Sequence, residues 1–206
     1  MEFFAEMRIV MVGKTGVGKS ELGNSLLGYK HFQPHALAGS STSLCKYGTR
    51  MLKDGRKVVV VDTPGTFDTR KSDWKTTPEI IRCMELSSPG PHVFLFVVRI
   101  GRYTKEEQDA IDSLRAFFGE HILSYVVVVF TCKDVLVHEH MTLDQFIASN
   151  TELGTLLSNC NCRYAAISNW DHEIDRNKDV EAIFDLIQCT IQNNEGDYYT
   201  LDINDY

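Results

Sequence analysis

The sequence lacks the features that would place it in a membrane or on a nucleic acid. No apolar run approaches the roughly 18 residues that a membrane-spanning helix needs, and no basic stretch would attract nucleic acid or an anionic lipid surface. The N-terminus carries Glu2 and Glu6 and lacks the basic and apolar order of a signal peptide. We therefore expect a cytoplasmic location, no nucleic-acid partner and no membrane contact by this segment.

The sequence also lacks a complete metal-binding cysteine pattern. Six cysteines in 206 residues suit a reducing compartment. The one close pair, Cys160 and Cys162, has no second pair or nearby histidine to complete a zinc site. The spacing of His138 and His140 is too short for the H-E-x-x-H zinc motif. We expect the first segment to be structural and the second to be a solvated loop.

Length and composition predict one globular domain. With 43% hydrophobic residues, 24% charged residues and a net charge of −7, the chain is ordinary for a globular protein and long enough for a substantial core. We assign residues 1–206 to a single domain with a core over about 7–193. Residues 194–206 are acidic and weakly patterned, which predicts a tail or a truncated helix start.

Strand-like and helix-like segments alternate along the chain. We predict strands at residues 7–12, 44–52, 57–62, 92–98, 124–130 and 163–167, and helices at residues 19–27, 76–86, 104–118, 142–157 and 177–191. The turn at residues 53–56 predicts one antiparallel edge pair, and the valine-rich runs predict central strands that are buried on both faces. The pattern therefore predicts an α/β fold, with a mostly parallel six-stranded sheet, one antiparallel edge strand and helices on both faces.

Local signals predict helix boundaries and loops. Thr104 with Glu107 three residues later predicts a capping box at a helix start. Gly154 predicts a break inside the fourth helix. Residues 29–43 and 64–75, which contain proline, glycine and short polar residues, are predicted to be mobile loops.

Residues 13–20 read GKTGVGKS and match the phosphate-loop pattern G-x-x-x-x-G-K-[ST] at every position. An apolar strand pattern precedes the loop and a helical pattern follows it, which is the setting that the motif requires. Backbone amides at the helix N-terminus would then surround an anion, Lys19 would contact the β- and γ-phosphates, and the Ser20 hydroxyl would bind Mg²⁺. The alternative is a glycine-rich turn with a solvated lysine. The predicted nucleotide contacts in this segment are Gly13, Lys14, Thr15, Gly16, Val17, Gly18, Lys19, Ser20 and Glu21.

Two further segments are predicted to contact Mg²⁺ and the γ-phosphate. Asp62 begins a D-x-x-G motif, so we expect it to hold Mg²⁺ through a water molecule while the Gly65 amide contacts the γ-phosphate. In the first mobile loop, Thr42 is predicted to reach both Mg²⁺ and the γ-phosphate, with Ser41 and Ser43 as alternatives. Loss of the γ-phosphate would remove these hydrogen bonds and loosen both loops, as in a nucleotide switch.

The segments after the last two predicted strands are predicted to select the base. Thr131, Lys133 and Asp134 lie in a T-C-K-D segment, which matches N/T-K-x-D except for a cysteine at the lysine position. In that pattern the aspartate accepts hydrogen bonds from guanine N1–H and the 2-amino group. Adenine lacks both donors and would leave the carboxylate unpaired. Ser168 and Asn169 follow the last predicted strand, where a backbone amide would bond guanine O6. Trp170, the next residue, would either stack on the base or cap the edge of the core.

These motifs and their surroundings resemble the GTPases of immunity-associated proteins, the AIG1-type family among the septin- and Toc-like GTPases. The resemblance beyond the phosphate loop is carried by GNSLLG at 23–28, LSSPGPH at 86–92, IGRYT at 100–104 with Glu107, and Arg163-Tyr164. Two residues in the base-binding segments, Cys132 and Ser168, depart from the family's pattern.

The resemblance implies a fold, ligands and partners. It implies that residues 1–206 are one AIG1-type G domain of the P-loop NTPase fold, of the TRAFAC class, which binds GTP or GDP with Mg²⁺. It also implies a GTP-dependent homodimer or oligomer in which two domains face each other across their nucleotides. Members are tied to immune defence, and some reach organelle membranes through regions absent from this segment.

The apparatus for hydrolysis is incomplete in the sequence. Where a Ras-like GTPase places a water-orienting glutamine after D-x-x-G, this chain has Thr66 and Phe67, so we expect slow intrinsic turnover. Within the dimer that the resemblance implies, Arg102 is our candidate to reach the partner's phosphates as an arginine finger, and the alternative is a surface arginine or a structural ion pair. Arg99 is a weaker candidate for the finger, and His35 is a weak candidate to orient water. The predicted catalytic residues are Lys19, Thr42 and Arg102.

Three functions stay open on the sequence alone. One is a GTPase that dimerisation stimulates, and the second is a GTP-controlled oligomeric scaffold without meaningful turnover. An ATP-using enzyme is the third, and it would require Asp134 not to read the base.

Overall fold

Six strands form one mixed sheet in the computed structural model of the protein, which describes residues 6–33, 44–65, 73–101, 103–168 and 173–200. The strands are β1 (Glu6–Val12), β2 (Lys46–Met51), β3 (Lys57–Asp62), β4 (Val93–Arg99), β5 (Val126–Thr131) and β6 (Tyr164–Ile167). Their order is β2-β3-β1-β4-β5-β6, and every neighbouring pair is parallel except β2 with β3. The predicted fold class, including its antiparallel edge strand, is confirmed.

Helices cover both faces of this sheet. They are α1 (Lys19–Leu27), α2 (Asp73–Leu86), α3 (Lys105–Phe118), α4 (Asp134–His138), α5 (Leu143–Ala148), α6 (Thr151–Asn159) and α7 (Glu173–Asn193), with a 3₁₀ helix (Glu120–Tyr125) before β5. Helices α1 and α7 pack on one face, and α2, α3, α5 and α6 pack on the other. Within the described residues, no helix combines the length and apolarity needed to cross a membrane.

The central strands are buried on both faces because successive side chains alternate across the sheet. In β4, Phe94 and Phe96 join the core under α3, whereas Val93, Leu95 and Val97 join the core under α1 and α7. Every residue of β5 is buried as well. The prediction that the valine-rich runs form central strands is therefore confirmed.

The parallel register brings several strand ends to one edge of the sheet. Met11 of β1 pairs with Asp62 at the end of β3, and Thr131 at the end of β5 pairs with Arg99 and with Ile167. Four of the five predicted ligand-binding segments each follow a strand end at this edge, and the fifth, which contains Thr42, lies outside the described residues. The topology alone therefore collects these four at one edge of the sheet.

The fourth predicted helix, residues 142–157, is two helices, and the break lies at Asn150 instead of Gly154. The Asn150 side chain accepts a hydrogen bond from the Leu153 amide (2.8 Å) and so begins α6, while Gly154 lies inside that helix. The prediction of a break at the glycine was wrong, because a local N-cap sets the boundary more strongly than a glycine's low helix propensity.

Other boundaries differ by a few residues. Helix α2 begins at Asp73 and α7 at Glu173, where the sequence predicted starts at 76 and 177, and so the first three residues of α2 fall in a segment predicted as loop. Helix α4 and the 3₁₀ helix were not predicted, because five or six residues are too few to show a helical period. The predicted capping box of α3 is present.

The chain after α7 packs against the core as far as Tyr199, where the sequence predicted a tail or a truncated helix start over residues 194–206. Tyr199 is 5% exposed, and its ring makes edge contacts with Phe94, Phe118 and Tyr125. Its amide donates to the Pro91 carbonyl (2.8 Å), and its hydroxyl donates to the Phe118 carbonyl. The described chain thus stays with the folded core as far as this tyrosine.

The Tyr199→Ala variant is expected to lose about 3 kcal/mol of unfolding free energy, because it empties a buried aromatic site and leaves polar groups unpaired. Urea denaturation measures this loss. The matched control is Tyr198→Ala, since that ring is partly exposed and lies 5.1 Å from the Arg8 guanidinium carbon; it should lose only about 1 kcal/mol. Equal, small losses for both variants would show that this segment does not stabilise the core.

Candidate phosphate-binding site

The loop between β1 and α1 has the backbone conformation of an anion cradle. The loop contains three glycines with positive φ, a backbone region that other residues rarely adopt: Gly13 (139°), Gly16 (83°) and Gly18 (97°). A Cβ on Gly13 would lie 2.5 Å from the Val97 carbonyl oxygen, so the loop's approach to β4 also requires glycine. Gly18 is the N-cap of α1, so the loop ends where free amides and the helix dipole favour negative charge.

The Lys19 side chain lies within this loop and donates hydrogen bonds to its backbone. It is 7% exposed, and its Nζ donates to the carbonyls of Gly13 (2.8 Å) and Lys14 (2.9 Å). A phosphate placed in the loop would offer the ammonium charged acceptors in place of these two neutral ones. The arrangement therefore holds a buried cation beside an anion cradle.

Asp62 and Ser20 form a candidate cation site beside the loop. The Ser20 hydroxyl donates to Asp62 Oδ2 (2.6 Å), whereas Oδ1 of the same carboxylate is buried without a hydrogen-bond partner among the described residues. Burial raises the pKa of the Asp62 carboxyl, and the Ser20 hydroxyl and the Lys19 charge oppose this rise. A hard cation, or a water bound to one, would supply the missing partner and favour the ionised carboxylate. The residues present therefore fit Mg²⁺.

The segment after β3 touches the phosphate loop at Gly65. A Cβ built on Gly65 would lie 2.6 Å from the Thr15 amide nitrogen, which is too close for any side chain. The Thr63 hydroxyl donates to the Met11 carbonyl (2.7 Å) and fixes this segment to the end of β1. The structure thus brings Gly65 beside the loop, and its role toward a γ-phosphate stays a prediction.

Thr131 supports the loop from the end of β5. Its hydroxyl donates to the Val17 carbonyl (2.6 Å), and the side chain is 1% exposed. A Cβ on Gly18 would be 3.4 Å from the Thr131 methyl carbon, so the two segments are in close contact. Thr131 was predicted to contact the nucleotide, and the structure places its hydroxyl on the loop's backbone.

Asp134 and Ser168 lie together at the other end of the site. The Ser168 hydroxyl donates to Asp134 Oδ1 (3.2 Å), and Asp134 is the first residue of α4. Lys133, also predicted as a nucleotide contact, pairs through Nζ with Asp179 of α7 (2.5 Å). Cys132 has φ of 59°, which turns the chain sharply between β5 and α4. A carboxylate beside a hydroxyl can select a ligand that offers hydrogen-bond donors.

Lys14 makes a contact that sequence reasoning missed. Its Nζ lies 2.6 Å from Glu107 Oε1 and 3.2 Å from Glu106 Oε2, so it joins the phosphate loop to the first turn of α3. Burial alone would raise the pKa of Glu107, but hydrogen bonds from Lys14 and Thr104 outweigh it and hold the pKa below its usual value. The capping box marked Glu107 in the sequence, but nothing in the sequence indicated that Lys14 is its partner.

Several predicted residues lie outside the described residues. They are Thr42 with its alternatives Ser41 and Ser43, Arg102, Asn169, Trp170, His35, Thr66 and Phe67. Their roles toward Mg²⁺, the base and the attacking water stay predictions.

Comparison with known proteins adds a family and a set of relatives. The model of the AIG1 family matches residues 7–206. Immune-associated nucleotide-binding protein 7 of Arabidopsis thaliana is 37% identical over 198 residues, which cover 94% of this chain and 64% of that protein. The chain spans between 57% and 64% of the length of four such relatives.

Solved structures share the fold at low identity. Toc33 from Arabidopsis thaliana in complex with GDP and Mg²⁺ aligns with a TM-score of 0.66 and 17% identity, over 97% of this chain and 89% of that one. A second solved structure carries the description that dimerization is important for the GTPase activity of the chloroplast translocon components atToc33 and psToc159. It aligns with a TM-score of 0.70 and 19% identity, over 89% of this chain and 84% of that one. At this level of identity, the likenesses show a shared fold and no more.

Proposed function

The chain belongs to the AIG1 family, and from this premise and the geometry of the phosphate loop we propose that it binds GTP and GDP with Mg²⁺. The observation that carries the proposal is the buried Asp62 Oδ1, which has no partner in the described part of the chain and lies beside Ser20 at the loop. An unpaired buried carboxylate oxygen is costly unless a cation or its bound water completes it. The GDP and Mg²⁺ in the Toc33 structure support the same ligands for this related fold.

Each residue of the site has a distinct task in this proposal. The amides of residues 16–19 bind the phosphates, and the Lys19 ammonium moves from two backbone carbonyls onto the β- and γ-phosphates. Ser20 and Asp62 would hold the cation, and Thr42 would join them in the triphosphate state. Bound Mg²⁺ would neutralise charge on the phosphate oxygens. Thr131 keeps the loop in register with the sheet.

Asp134 gives the site its preference for guanine. The carboxylate accepts from N1–H and from the 2-amino group, while the Ser168 hydroxyl keeps it oriented at 3.2 Å from Oδ1. An adenine would present an acceptor and a C–H group at these positions. The charge would then lose its partners, which costs several kcal/mol in a partly buried site, about 2 kcal/mol for each lost charged hydrogen bond.

We further propose that hydrolysis is slow in the isolated domain and is stimulated when two domains meet across their nucleotides. The absence of a glutamine after D-x-x-G in the sequence supports slow intrinsic turnover. The dependence of GTPase activity on dimerization stated for atToc33 and psToc159 supports stimulation by a partner. Arg102 is the proposed arginine finger, since an arginine supplied in trans stabilises the charge that develops in phosphoryl transfer.

A second function follows from the same missing glutamine. The domain would bind GTP, order its loops and assemble as a scaffold without meaningful turnover. Such a scaffold needs the phosphate loop and the cation site but no finger, and so the two functions share every described residue of the site.

Phosphate release measured over a range of protein concentrations separates the two functions. A specific rate that rises with concentration is expected of the stimulated GTPase, and Arg102→Ala should hold that rate near the value of dilute wild-type protein while GTP binding is kept. Arg99→Ala tests the weaker candidate for the finger in the same assay, and loss of the stimulated rate in that variant alone would assign the finger to Arg99. Absence of release at every concentration would favour the scaffold, and an unchanged rate in Arg102→Ala would exclude Arg102 as the finger.

A further inference from the structure

A continuous set of polar contacts connects the phosphate loop to the start of α3. Lys19 Nζ donates to the Lys14 carbonyl (2.9 Å), and Lys14 Nζ contacts Glu107 Oε1 (2.6 Å). The other oxygen of the same carboxylate, Oε2, accepts from the Thr104 amide (3.0 Å) and from the Thr104 hydroxyl. Contacts between three pairs of residues therefore lead from the phosphate-binding lysine to the N-cap of α3.

The contact between Lys14 and Glu107 is not needed by either element alone. A phosphate loop accepts any residue at the position of Lys14, and a capping box is complete with a glutamate and a hydroxyl. Yet Glu107 is almost fully buried, with 4% of its side chain exposed, and both of its oxygens are occupied. A buried carboxylate shared by two elements ties their positions together, because neither can move without breaking a charged hydrogen bond.

We propose that the ion pair of Lys14 with Glu107 couples occupation of the phosphate loop to the segment that precedes α3, so that Lys14 and Glu107 are positioning residues for the face across which two domains meet. The inference rests on the proposed function, since it needs a phosphate ligand in the loop. The Lys19 ammonium has two states in this proposal: it donates a hydrogen bond to the Lys14 carbonyl in the structure, and it donates to phosphate in the complex. Its departure frees that carbonyl and lets the Lys14 backbone shift, and the ion pair carries the shift to Glu107 and Thr104.

Two variants interrupt the coupling in electrostatically opposite ways. Lys14→Met removes a positive charge, whereas Glu107→Gln removes a negative charge and keeps an oxygen that can complete the capping box. The electrostatic attraction of the protein for the anionic nucleotide should therefore decrease in Lys14→Met and increase in Glu107→Gln, while the coupling is lost in both variants. Lys14→Arg keeps the charge and should keep the coupling. Lys105→Met is the matched control, because Lys105 is an exposed residue of the same helical turn.

Hydrogen–deuterium exchange of the peptide over residues 100–107, with and without a non-hydrolysable GTP analogue and Mg²⁺, tests the proposal. In wild-type protein, Lys14→Arg and Lys105→Met, nucleotide should change the exchange rate of this peptide by about threefold or more. In Lys14→Met and Glu107→Gln, the change should vanish when each variant is saturated with the analogue, at a concentration set from its own Kd by calorimetry.

The outcomes separate the inference from the function on which it rests. Exchange that is indifferent to bound nucleotide in wild-type protein, or a change that persists in both charge-removing variants, would overturn the coupling and leave nucleotide binding intact. No calorimetric binding of guanine nucleotide to folded wild-type protein would overturn the proposed function and the coupling together.

Discussion

The Lys19→Met variant is expected to raise the Kd for GDP by about a thousandfold, a loss of about 4 kcal/mol. Methionine has nearly the length of lysine and no charge, so the substitution removes the ammonium and leaves the backbone of the loop in place. Two charged hydrogen bonds to phosphate at about 2 kcal/mol each account for the loss. Calorimetric titration of GDP in the presence of Mg²⁺ measures it directly.

The burial of Lys19 explains why so much depends on one side chain. Its ammonium already donates to two loop carbonyls at 2.8 and 2.9 Å, so it is held at the cradle before any ligand arrives and little entropy is lost on binding. The Lys53→Met variant is the matched control, because Lys53 is exposed in the turn between β2 and β3, at the opposite ends of the strands. It removes the same charge and should bind GDP as wild type does. Tight GDP binding by Lys19→Met would refute the phosphate cradle.

The fold class was predictable because the pattern that specifies it is local. Valine-rich runs such as those of β3 and β5 can only be satisfied by burial on both faces, and their alternation with helical patterns leaves a parallel sheet as the arrangement that fits. The glycine loop was predictable for the same reason. Its positive φ values and its position between a strand and a helix are consequences of residue types at fixed spacing.

Contacts between distant side chains were not predictable, because one sequence does not say which of many charges meet. Lys14 and Glu107 are 93 residues apart in number, and Lys133 and Asp179 are 46 apart, yet both pairs lie within 2.6 Å. The sequence placed Lys14 and Lys133 equally well on a nucleotide. The structure alone shows that the ammonium groups of both lysines have carboxylate partners, on α3 and on α7. The break at Asn150 was missed for a related reason, since a single side-chain cap decides it.

A substitution at Asp134 is expected to reverse the preference of the site from guanine to xanthine. Asp134 would present two acceptors to guanine, which offers donors at N1 and at the 2-amino group. Asparagine presents one acceptor and one donor. Xanthine matches that pair, because it keeps a donor at N1 and carries a carbonyl oxygen at position 2. The Ser168 hydroxyl, which donates to Asp134 Oδ1 at 3.2 Å, should hold the asparagine oxygen in the same place and direct its NH₂ toward the base.

The Asp134→Asn variant is therefore expected to bind XTP more tightly than GTP, with the ratio of the two Kd values changed by about a thousandfold. About half of this change is loss of GTP binding, since the amide NH₂ and the 2-amino group are both donors, and the rest is gain of XTP binding. Competition of GTP, XTP and ATP against a fluorescent GDP analogue measures all three affinities in one assay. The control, Asp185→Asn, changes an exposed carboxylate of α7 and should keep the wild-type order. An unchanged preference for GTP in Asp134→Asn would mean that this carboxylate does not read the base, and it would assign guanine recognition to the segment that follows Ser168.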